Sequence, residues 1–170
     1  VKTLLALMFN PGYTNYYDDF TGAHVGTWPA TTSYPATQGT GTEVIGITAA
    51  IGGTLTVTTG SSDDDNAIQT YGLNWRGAEG VYYICRAKIS SVTASKFEVG
   101  LTDSLTNVSA INAKTTPTFI STDSACFVWD TDHNTELAFI TANAGVVGAN
   151  AVSTLTMDTA YHVYEVIVLG

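Results

Sequence analysis

Three consecutive carboxylates, Asp63, Asp64 and Asp65, form the densest group of potential ligands in the sequence. Carboxylate oxygens are ligands that Ca²⁺ prefers, so this group could contribute to a calcium site. The neighbouring residues are Gly, Ser and Asn, which are typical of a loop between strands, where adjacent carboxylates are usually solvated. Both interpretations stay open, and no other cofactor is expected.

A second acidic motif, Asp130-x-Asp132-x-Asn134, matches the first half of an EF-hand calcium loop. The match then ends, because Thr135 stands where the sharp turn requires Gly and Thr141 stands where the bidentate Glu belongs. The motif lies between two apolar runs. This position favours the polar turn of a β-hairpin over a metal site.

The sequence shows no group of residues that would catalyse a reaction. Glycoside hydrolysis needs two carboxylates flanking the scissile bond, whereas Glu98 and Glu165 each stand alone among apolar neighbours. The three histidines are scattered along the sequence, and neither a Gly-x-Ser-x-Gly motif nor a Gly-rich phosphate loop occurs. We therefore predict that the protein is not an enzyme.

Aromatic residues are the remaining candidates for a functional site. Tyr and Trp are favoured at protein interfaces, so we expect interface anchors among the aromatic residues near the N-terminus. These are Tyr13, Tyr16, Tyr17, Trp28 and Tyr34. Aromatic rings also stack on sugars, and Trp75 and Trp129 are further candidates for that role, although such residues more often belong to a core or an interface.

The charge balance excludes several classes of partner. Fifteen acidic and six basic residues give a net charge of −9, which repels the phosphates of nucleic acids and of anionic membranes. No apolar run approaches the roughly 20 residues that span a bilayer. Only 12% of the residues are charged, so Thr, Ser, Asn and Gly must supply the polar surface, a composition typical of strands and turns.

Alternation of apolar and polar residues predicts the strands that would position these groups. The clearest strand covers residues 81–91, with Val81, Tyr83, Cys85, Ala87 and Ile89 on one face and Arg86 and Lys88 on the other. The remaining predicted strands are 53–58, 97–101, 119–121, 125–129, 136–141 and 161–169. Only residues 66–73 and 143–151 could hold a helical turn.

Cys85 and Cys126 are the only two cysteines, and each lies in an apolar, strand-like run. Free Cys in such a run usually serves as a small buried hydrophobic residue. Two reduced thiols in the core are therefore favoured, and one disulfide is the alternative.

Short strands about ten residues apart, separated by turn residues, predict an all-β protein of the antiparallel β-sandwich or jelly-roll type. We expect residues 1–17 to form an extended N-terminal arm or a first strand, and residues 18–170 to form a single sandwich domain. The sequence ends on the apolar run Val166–Leu169 and Gly170, which would leave a sheet edge open. We therefore expect residues beyond Gly170 or a partner that covers this edge.

The order of motifs resembles that of the concanavalin/laminin-G-like jelly rolls of tailed-bacteriophage virion proteins, which include head-decoration and fibre modules. The resemblance rests on Tyr17-Asp18-Asp19-Phe20 and on the runs 80–89, 97–103 and 158–166. In those relatives the strand that corresponds to 82–89 is central, and the run that corresponds to 97–103 is its neighbour.

The resemblance implies a non-enzymatic structural protein at the surface of a virion, in particular a capsid decoration or protruding protein. Its partners would be the major capsid protein or other virion proteins, and it would self-associate, as a trimer on a capsid three-fold axis. The alternative function is a carbohydrate-binding, lectin-like module of a secreted adhesin or glycan-active protein, because lectins share this fold. A host glycan would then be the ligand, and Asp63 to Asp65 would hold Ca²⁺.

Overall fold

The computed structural model describes residues 36–38, 44–48, 54–59, 67–69, 76–104, 110–111 and 117–170. This part of the chain is all-β: its strands pair only in antiparallel fashion, and its one helical element is a single 3₁₀ turn at Gly77–Glu79. The prediction of an all-β, antiparallel protein is confirmed. Among these residues no helix is long and apolar enough to cross a membrane.

Ten strands follow one another along the described residues. Four of them form one sheet in the order β6-β7-β8-β9, and the others form the pairs β1–β4, β2–β3 and β5–β10. The strands are β1 (Ala36–Gln38), β2 (Val44–Thr48), β3 (Thr54–Thr58), β4 (Ala67–Gln69), β5 (Val81–Ala87), β6 (Lys96–Thr102), β7 (Ser124–Asp130), β8 (Asn134–Asn143), β9 (Val146–Thr156) and β10 (His162–Val168).

The β5–β10 ribbon packs on one face of the four-stranded sheet. Tyr164 of β10 is its central contact, with its ring centroid 5.7 Å from that of Phe97 and 5.6 Å from that of Phe127. The buried residues of this layer are Trp129, Leu137, Met157 and Tyr164. Burying each of these large side chains contributes roughly 1.5–3 kcal/mol, so this layer is a major part of the core.

On the opposite face of the sheet, three described residues of the connection between β6 and β7 pack against the strands. Ala110 and Ile111 are buried there, with Phe119 packed beside them. Ile111 and Phe119 also form an isolated antiparallel bridge. The sheet residues beneath this segment are Cys126 and Val128 of β7 and Ala138 and Ile140 of β8. The sheet is therefore apolar on both faces, which explains why β7 reads as a nearly continuous apolar run.

The pattern of residues on β5 matches the prediction made from its alternation. Val81, Tyr83, Cys85, Ala87 and Ile89 are all half-buried, whereas Ile84, Arg86 and Lys88 are exposed. Period-two alternation thus gives the correct inward face. β3, β6, β7, β8 and β10 also lie where strands were predicted, within a few residues at their ends.

Four predictions about local structure were wrong. Residues 66–73 contain the strand β4 and no helical turn in their described part, 67–69. Phe119 forms only the isolated bridge instead of a strand. β6 pairs with β7 and not with β5, so the neighbour relation implied by the phage resemblance does not hold for these two strands. The reason is that the segment between β5 and β6 turns at Ala94, whose φ is 47°, and leads from the β5–β10 ribbon into the four-stranded sheet.

The fourth error concerns residues 143–151, which form the β8–β9 hairpin and contain no helical turn. Ala144 and Gly145 have φ values of 50° and 75°, the positive values that a two-residue hairpin turn requires. Contacts from a distant loop fix this turn. The Ala144 N–H donates to the Asp123 carboxylate at 2.9 Å, and the Gly145 N–H donates to the Thr122 carbonyl at 2.8 Å.

Candidate functional site

The site residues predicted from the sequence fall mostly on parts of the chain that the structure does not describe. The predicted interface anchors Tyr13, Tyr16, Tyr17, Trp28 and Tyr34 lie outside the described residues, as do the possible calcium ligands Asp63, Asp64 and Asp65. The arm at residues 1–17 and the aromatic residue Trp75 lie outside them too. These predictions stay predictions.

Trp129 was a candidate for stacking on sugar, and the structure contradicts that role. Its side chain is only 1% exposed and belongs to the core between the sheet and the β5–β10 ribbon. Its indole N–H donates to the Thr135 carbonyl at 3.2 Å, so the polar atom of the buried ring is satisfied. β7 reads as a nearly continuous apolar run, which is typical of a strand buried on both faces, and this was a signal available in the sequence for the burial of Trp129.

The acidic motif at residues 130–134 forms the β7–β8 hairpin turn, as predicted. Asp130 is buried, and its carboxylate accepts the N–H of Asp132 at 3.1 Å. Its second oxygen lies 3.8 Å from Nε2 of His133. The carboxylate is thus used to hold the turn. Among the described residues no group of three or more His, Cys, Asp and Glu side chains is arranged to hold a metal ion.

The second described histidine also contacts a nearby aspartate. Nε2 of His162 lies 2.8 Å from Oδ1 of Asp158, and the same oxygen accepts the Ala160 N–H at 2.7 Å. The hydrogen bond from His162 lowers the pKa of Asp158. These contacts close the exposed turn that leads into β10, so a structural role accounts for both residues.

Both cysteines are free thiols in the structure, in keeping with the favoured interpretation. Cys126 is buried and its thiol donates to the Leu101 carbonyl at 3.2 Å. Burial raises the pKa of Cys126 to about 12, and burial also raises the pKa of Cys85. A nucleophilic cysteine needs a lowered pKa, so neither thiol is activated for chemistry.

For Glu98 the sequence analysis considered only a pairing with a second carboxylate, and it missed the contacts that this side chain makes. Oε1 of Glu98 lies 3.2 Å from Nζ of Lys96, and its two oxygens accept the N–H groups of Ala110 at 2.9 Å and Ile111 at 3.4 Å. Lys96 also donates to the Ile111 carbonyl. Residues two apart on a strand share a face, so the Lys96-x-Glu98 spacing was the signal that could have revealed this pair.

Burial raises the pKa of Glu98, against the opposing effect of Lys96 and of the two backbone N–H groups. Such a raised pKa in a buried carboxyl can indicate a catalytic acid. Here both carboxylate oxygens are engaged with Lys96 and with the backbone of Ala110 and Ile111, and they hold that segment over the sheet. We therefore assign Glu98 a structural role.

Three exposed aliphatic side chains lie on the face of the β5–β10 ribbon that points away from the sheet, which we call the outer ribbon face. Ile84 of β5 and Val163 and Ile167 of β10 are 47%, 61% and 59% exposed. Ile84 pairs with Glu165, which lies between the other two. Burying a Val or Ile contributes roughly 1.5–3 kcal/mol, so a partner on this face would gain several such contributions.

Two cations and one aromatic ring lie at the end of the outer ribbon face. The Arg86 guanidinium carbon is 4.2 Å from the centroid of the Tyr161 ring, and Nζ of Lys88 is 5.0 Å from it. All three side chains are exposed. Cation–π contacts at exposed sites contribute about 0.5–1 kcal/mol, enough to orient the ring and to keep the two positive charges together.

The chain matches no protein-family model, no curated protein and no solved structure. Function must therefore be argued from the described residues. Their polar groups hold turns and a buried loop, and their exposed apolar groups form a surface. This arrangement suits binding by contact and offers no group positioned for bond making or breaking in the described part of the chain.

Proposed function

We propose that the protein is a structural, non-enzymatic component of a virus particle, in particular a capsid decoration or protruding protein of a tailed bacteriophage. The observation that carries a contact role is the outer ribbon face, with Ile84, Val163 and Ile167 exposed on one rigid pair of strands. The virion setting is supported by the resemblance of the sequence motifs to phage jelly-roll modules.

The outer ribbon face brings three exposed aliphatic residues together on two paired strands. Contiguous apolar patches on a folded domain commonly mark sites of protein contact, because leaving them in water forfeits the free energy of burial. Glu165 lies between Val163 and Ile167, and Arg86 pairs with Val163, so a partner could combine apolar and ionic contacts on this face. A protein partner therefore fits this face better than a nucleic acid or an anionic membrane does.

We also propose that the protein has the jelly-roll fold. In a jelly roll the β5–β10 ribbon would be extended by other strands to form a second sheet opposite β6-β7-β8-β9. The pairs β2–β3 and β1–β4 supply short antiparallel strands of the required kind. The aromatic residues of the N-terminal segment would then anchor the protein to its neighbours on the capsid.

Mass spectrometry of purified particles tests this function. We expect peptides of this protein in particles banded on a density gradient, in stoichiometric amounts with a major capsid protein. Deleting residues 1–17 should abolish attachment and leave the circular dichroism spectrum unchanged. Absence of the protein from the particles would contradict the virion role, and attachment that survives the deletion would place the anchor elsewhere.

A carbohydrate-binding function is the second candidate, and Tyr161 is the observation that favours it. An exposed ring beside Arg86 and Lys88 offers a stacking surface together with positive charge, which suits a sugar that carries a carboxylate or sulfate. If the protein is absent from particles but binds an acidic oligosaccharide, and if Tyr161→Ala abolishes that binding, this second function replaces the first.

A further inference from the structure

Arg86 and Lys88 differ from the other basic residues that the structure describes, because they have no acidic partner within that part of the chain. Side-chain nitrogens of Arg76 and Lys96 lie 3.9 Å and 3.2 Å from a glutamate oxygen. Among the described residues no ion pair includes Arg86 or Lys88, although the chain has fifteen acidic residues and a net charge of −9. These two neighbouring cations are therefore available to an anion from outside.

Glu165 is a carboxylate of the same outer ribbon face, and it interacts with a different neighbour. It pairs with Ile84 across the ribbon, so its diagonal neighbours are Tyr82 and Arg86. Burial and a hydrogen bond with Glu165 raise the pKa of Tyr82. The carboxylate is thus engaged with Tyr82, and Arg86 keeps its charge.

The ring of Tyr161 holds the two cations together. The Arg86 guanidinium carbon lies 4.2 Å from the centroid of this ring, and Nζ of Lys88 lies 5.0 Å from it. Like charges held on one ring repel each other, and a carboxylate between them compensates that repulsion. Arginine presents two parallel N–H donors to a carboxylate, and lysine adds a compact charge with three donors. This arrangement therefore suits a carboxylate ligand.

Aliphatic side chains adjoin the two cations on the outer ribbon face. Val163 is the cross-strand partner of Arg86, and Ile84 lies two residues before Arg86 on β5. Val163 and Ile84 are 61% and 47% exposed. A ligand that binds Arg86 would therefore also cover apolar surface, and a ligand with both acidic and aliphatic groups fits this surface best.

We propose that this end of the outer ribbon face binds an acidic segment of a partner protein, with an Asp or Glu carboxylate between Arg86 and Lys88 and aliphatic side chains on Val163 and Ile84. The inference names the chemistry of the partner; it rests on the contact role proposed for this face and not on the virion setting. An extended peptide presents every second side chain on one side, which matches the spacing of Ile84, Arg86 and Lys88 along β5.

Charge and polarity favour a peptide over other anions. Nucleic acids and anionic membranes bring many negative charges towards a chain of net charge −9, whereas a peptide brings one or two. An acidic sugar would place hydroxyl groups over Val163 and Ile84, whose side chains form no hydrogen bonds, and polar groups buried without a partner are costly. Aliphatic side chains of a peptide have no such cost.

An NMR titration of the isolated ¹⁵N-labelled protein with a decapeptide of alternating Val and Glu tests the proposal. We expect chemical-shift changes at the backbone amides of residues 84–88 and 161–165, and none at those of residues 146–156. A matched decapeptide of alternating Val and Gln should bind about tenfold more weakly or worse, because a neutral amide forms weaker hydrogen bonds with the cations. Binding of the acidic peptide should also weaken as the salt concentration rises from about 0.05 to 0.3 M.

Charge-reversal variants locate the binding site. Arg86→Glu should weaken binding of the acidic peptide about tenfold or more. Arg76→Glu is the matched control, because it changes the net charge equally at a side chain that is 83% exposed and precedes the 3₁₀ turn outside the ribbon. It should weaken binding by less than about twofold. Tyr161→Leu should weaken binding about threefold and Tyr161→Phe should not, since the ring positions the cations. Circular dichroism shows whether each variant is folded.

Several results would overturn the proposal. They are unchanged amide shifts at the named residues, equal binding of the two peptides, or equal weakening in Arg86→Glu and Arg76→Glu. A chondroitin sulfate oligosaccharide that binds this face more tightly than the acidic peptide would assign the face to an acidic sugar. A dimer of the protein alone in sedimentation velocity, dissociated by Arg86→Glu, would assign it to a second copy. The particle experiment is unaffected by these outcomes, so the two proposals fail separately.

Discussion

The two edges of the four-stranded sheet are built in opposite ways. β6 forms one edge, and its residues are half-buried apart from Lys96, with a partly buried ion pair and the backbone of Ala110 and Ile111 fixed over it. β9 forms the other edge, and it is exposed almost throughout and has no charge. One sheet thus has a half-buried edge that holds a segment of its own chain and an edge whose side chains are mostly exposed.

The difference shows where the chain places its stability. On the β6 side, Glu98 uses its two oxygens to hold the backbone of Ala110 and Ile111, and that segment covers the core residues of β7 and β8. On the β9 side most side chains are exposed, so their substitution should cost little in the free energy of unfolding. Substitutions on the two edges should therefore have very different costs.

The largest expected effect is at Gly100 of β6. Its φ is 151°, and a Cβ atom there would lie 2.3 Å from the Ala125 carbonyl oxygen and 2.8 Å from the Cys126 Cα atom. Backbone atoms of β7 cannot move away without breaking the strand pair. We expect Gly100→Ala to lower the free energy of unfolding by about 3 kcal/mol or more, measured by urea denaturation.

Gly145, in the turn that leads into β9, provides the matched control for Gly100. Its φ is 75°, and a Cβ atom there would meet no heavy atom within 4 Å. Ala144 already adopts a φ of 50° beside it, so alanine is compatible with this turn. Gly145→Ala should cost only about 1 kcal/mol, the backbone cost of the left-handed conformation. Equal costs at the two glycines would contradict the contrast between the edges.

The next largest effect is expected from Glu98→Ala. The substitution leaves the N–H groups of Ala110 and Ile111 and the ammonium of Lys96 without their carboxylate, and buried groups left unsatisfied cost about 1–3 kcal/mol. We expect a loss of about 2–3 kcal/mol in the free energy of unfolding. Glu165→Ala, on the exposed side of β10, should change it by no more than about 0.5 kcal/mol. A loss at Glu98 as small as at Glu165 would show that the loop is held by apolar packing alone.

Strand periodicity was sufficient to predict the inward face of β5 and the positions of most strands. It failed where distant contacts decide the structure. The run after Asn143 is rich in Ala, and the Ala144–Gly145 turn that starts β9 is fixed by hydrogen bonds that its two N–H groups donate to Asp123 and Thr122. The role of Glu98 depends on a backbone segment twelve residues away, which no local pattern specifies. The predicted anchors from Tyr13 to Tyr34 lie outside the described residues and are untested.

The smallest effect is a dependence of stability on pH, which sharpens the role of Glu98. Burial raises the pKa of Glu98 in the folded protein, so the folded state binds a proton more readily than the unfolded state does. The contribution of Glu98 to the free energy of unfolding is therefore greatest below its unfolded-state pKa of about 4.3 and decreases as the pH rises through the folded pKa.

Glu98→Gln does not titrate at this position. Subtracting the unfolding free energy of this variant from that of the wild type therefore cancels the contributions of the other carboxyl groups. We expect this difference to become less favourable to the wild type between about pH 4 and pH 7, in urea denaturations at several pH values. A difference that grows with pH would mean that Lys96 and the two N–H groups outweigh burial, and that the β6 edge is stabilised by the charge of Glu98 and not merely by its hydrogen bonds.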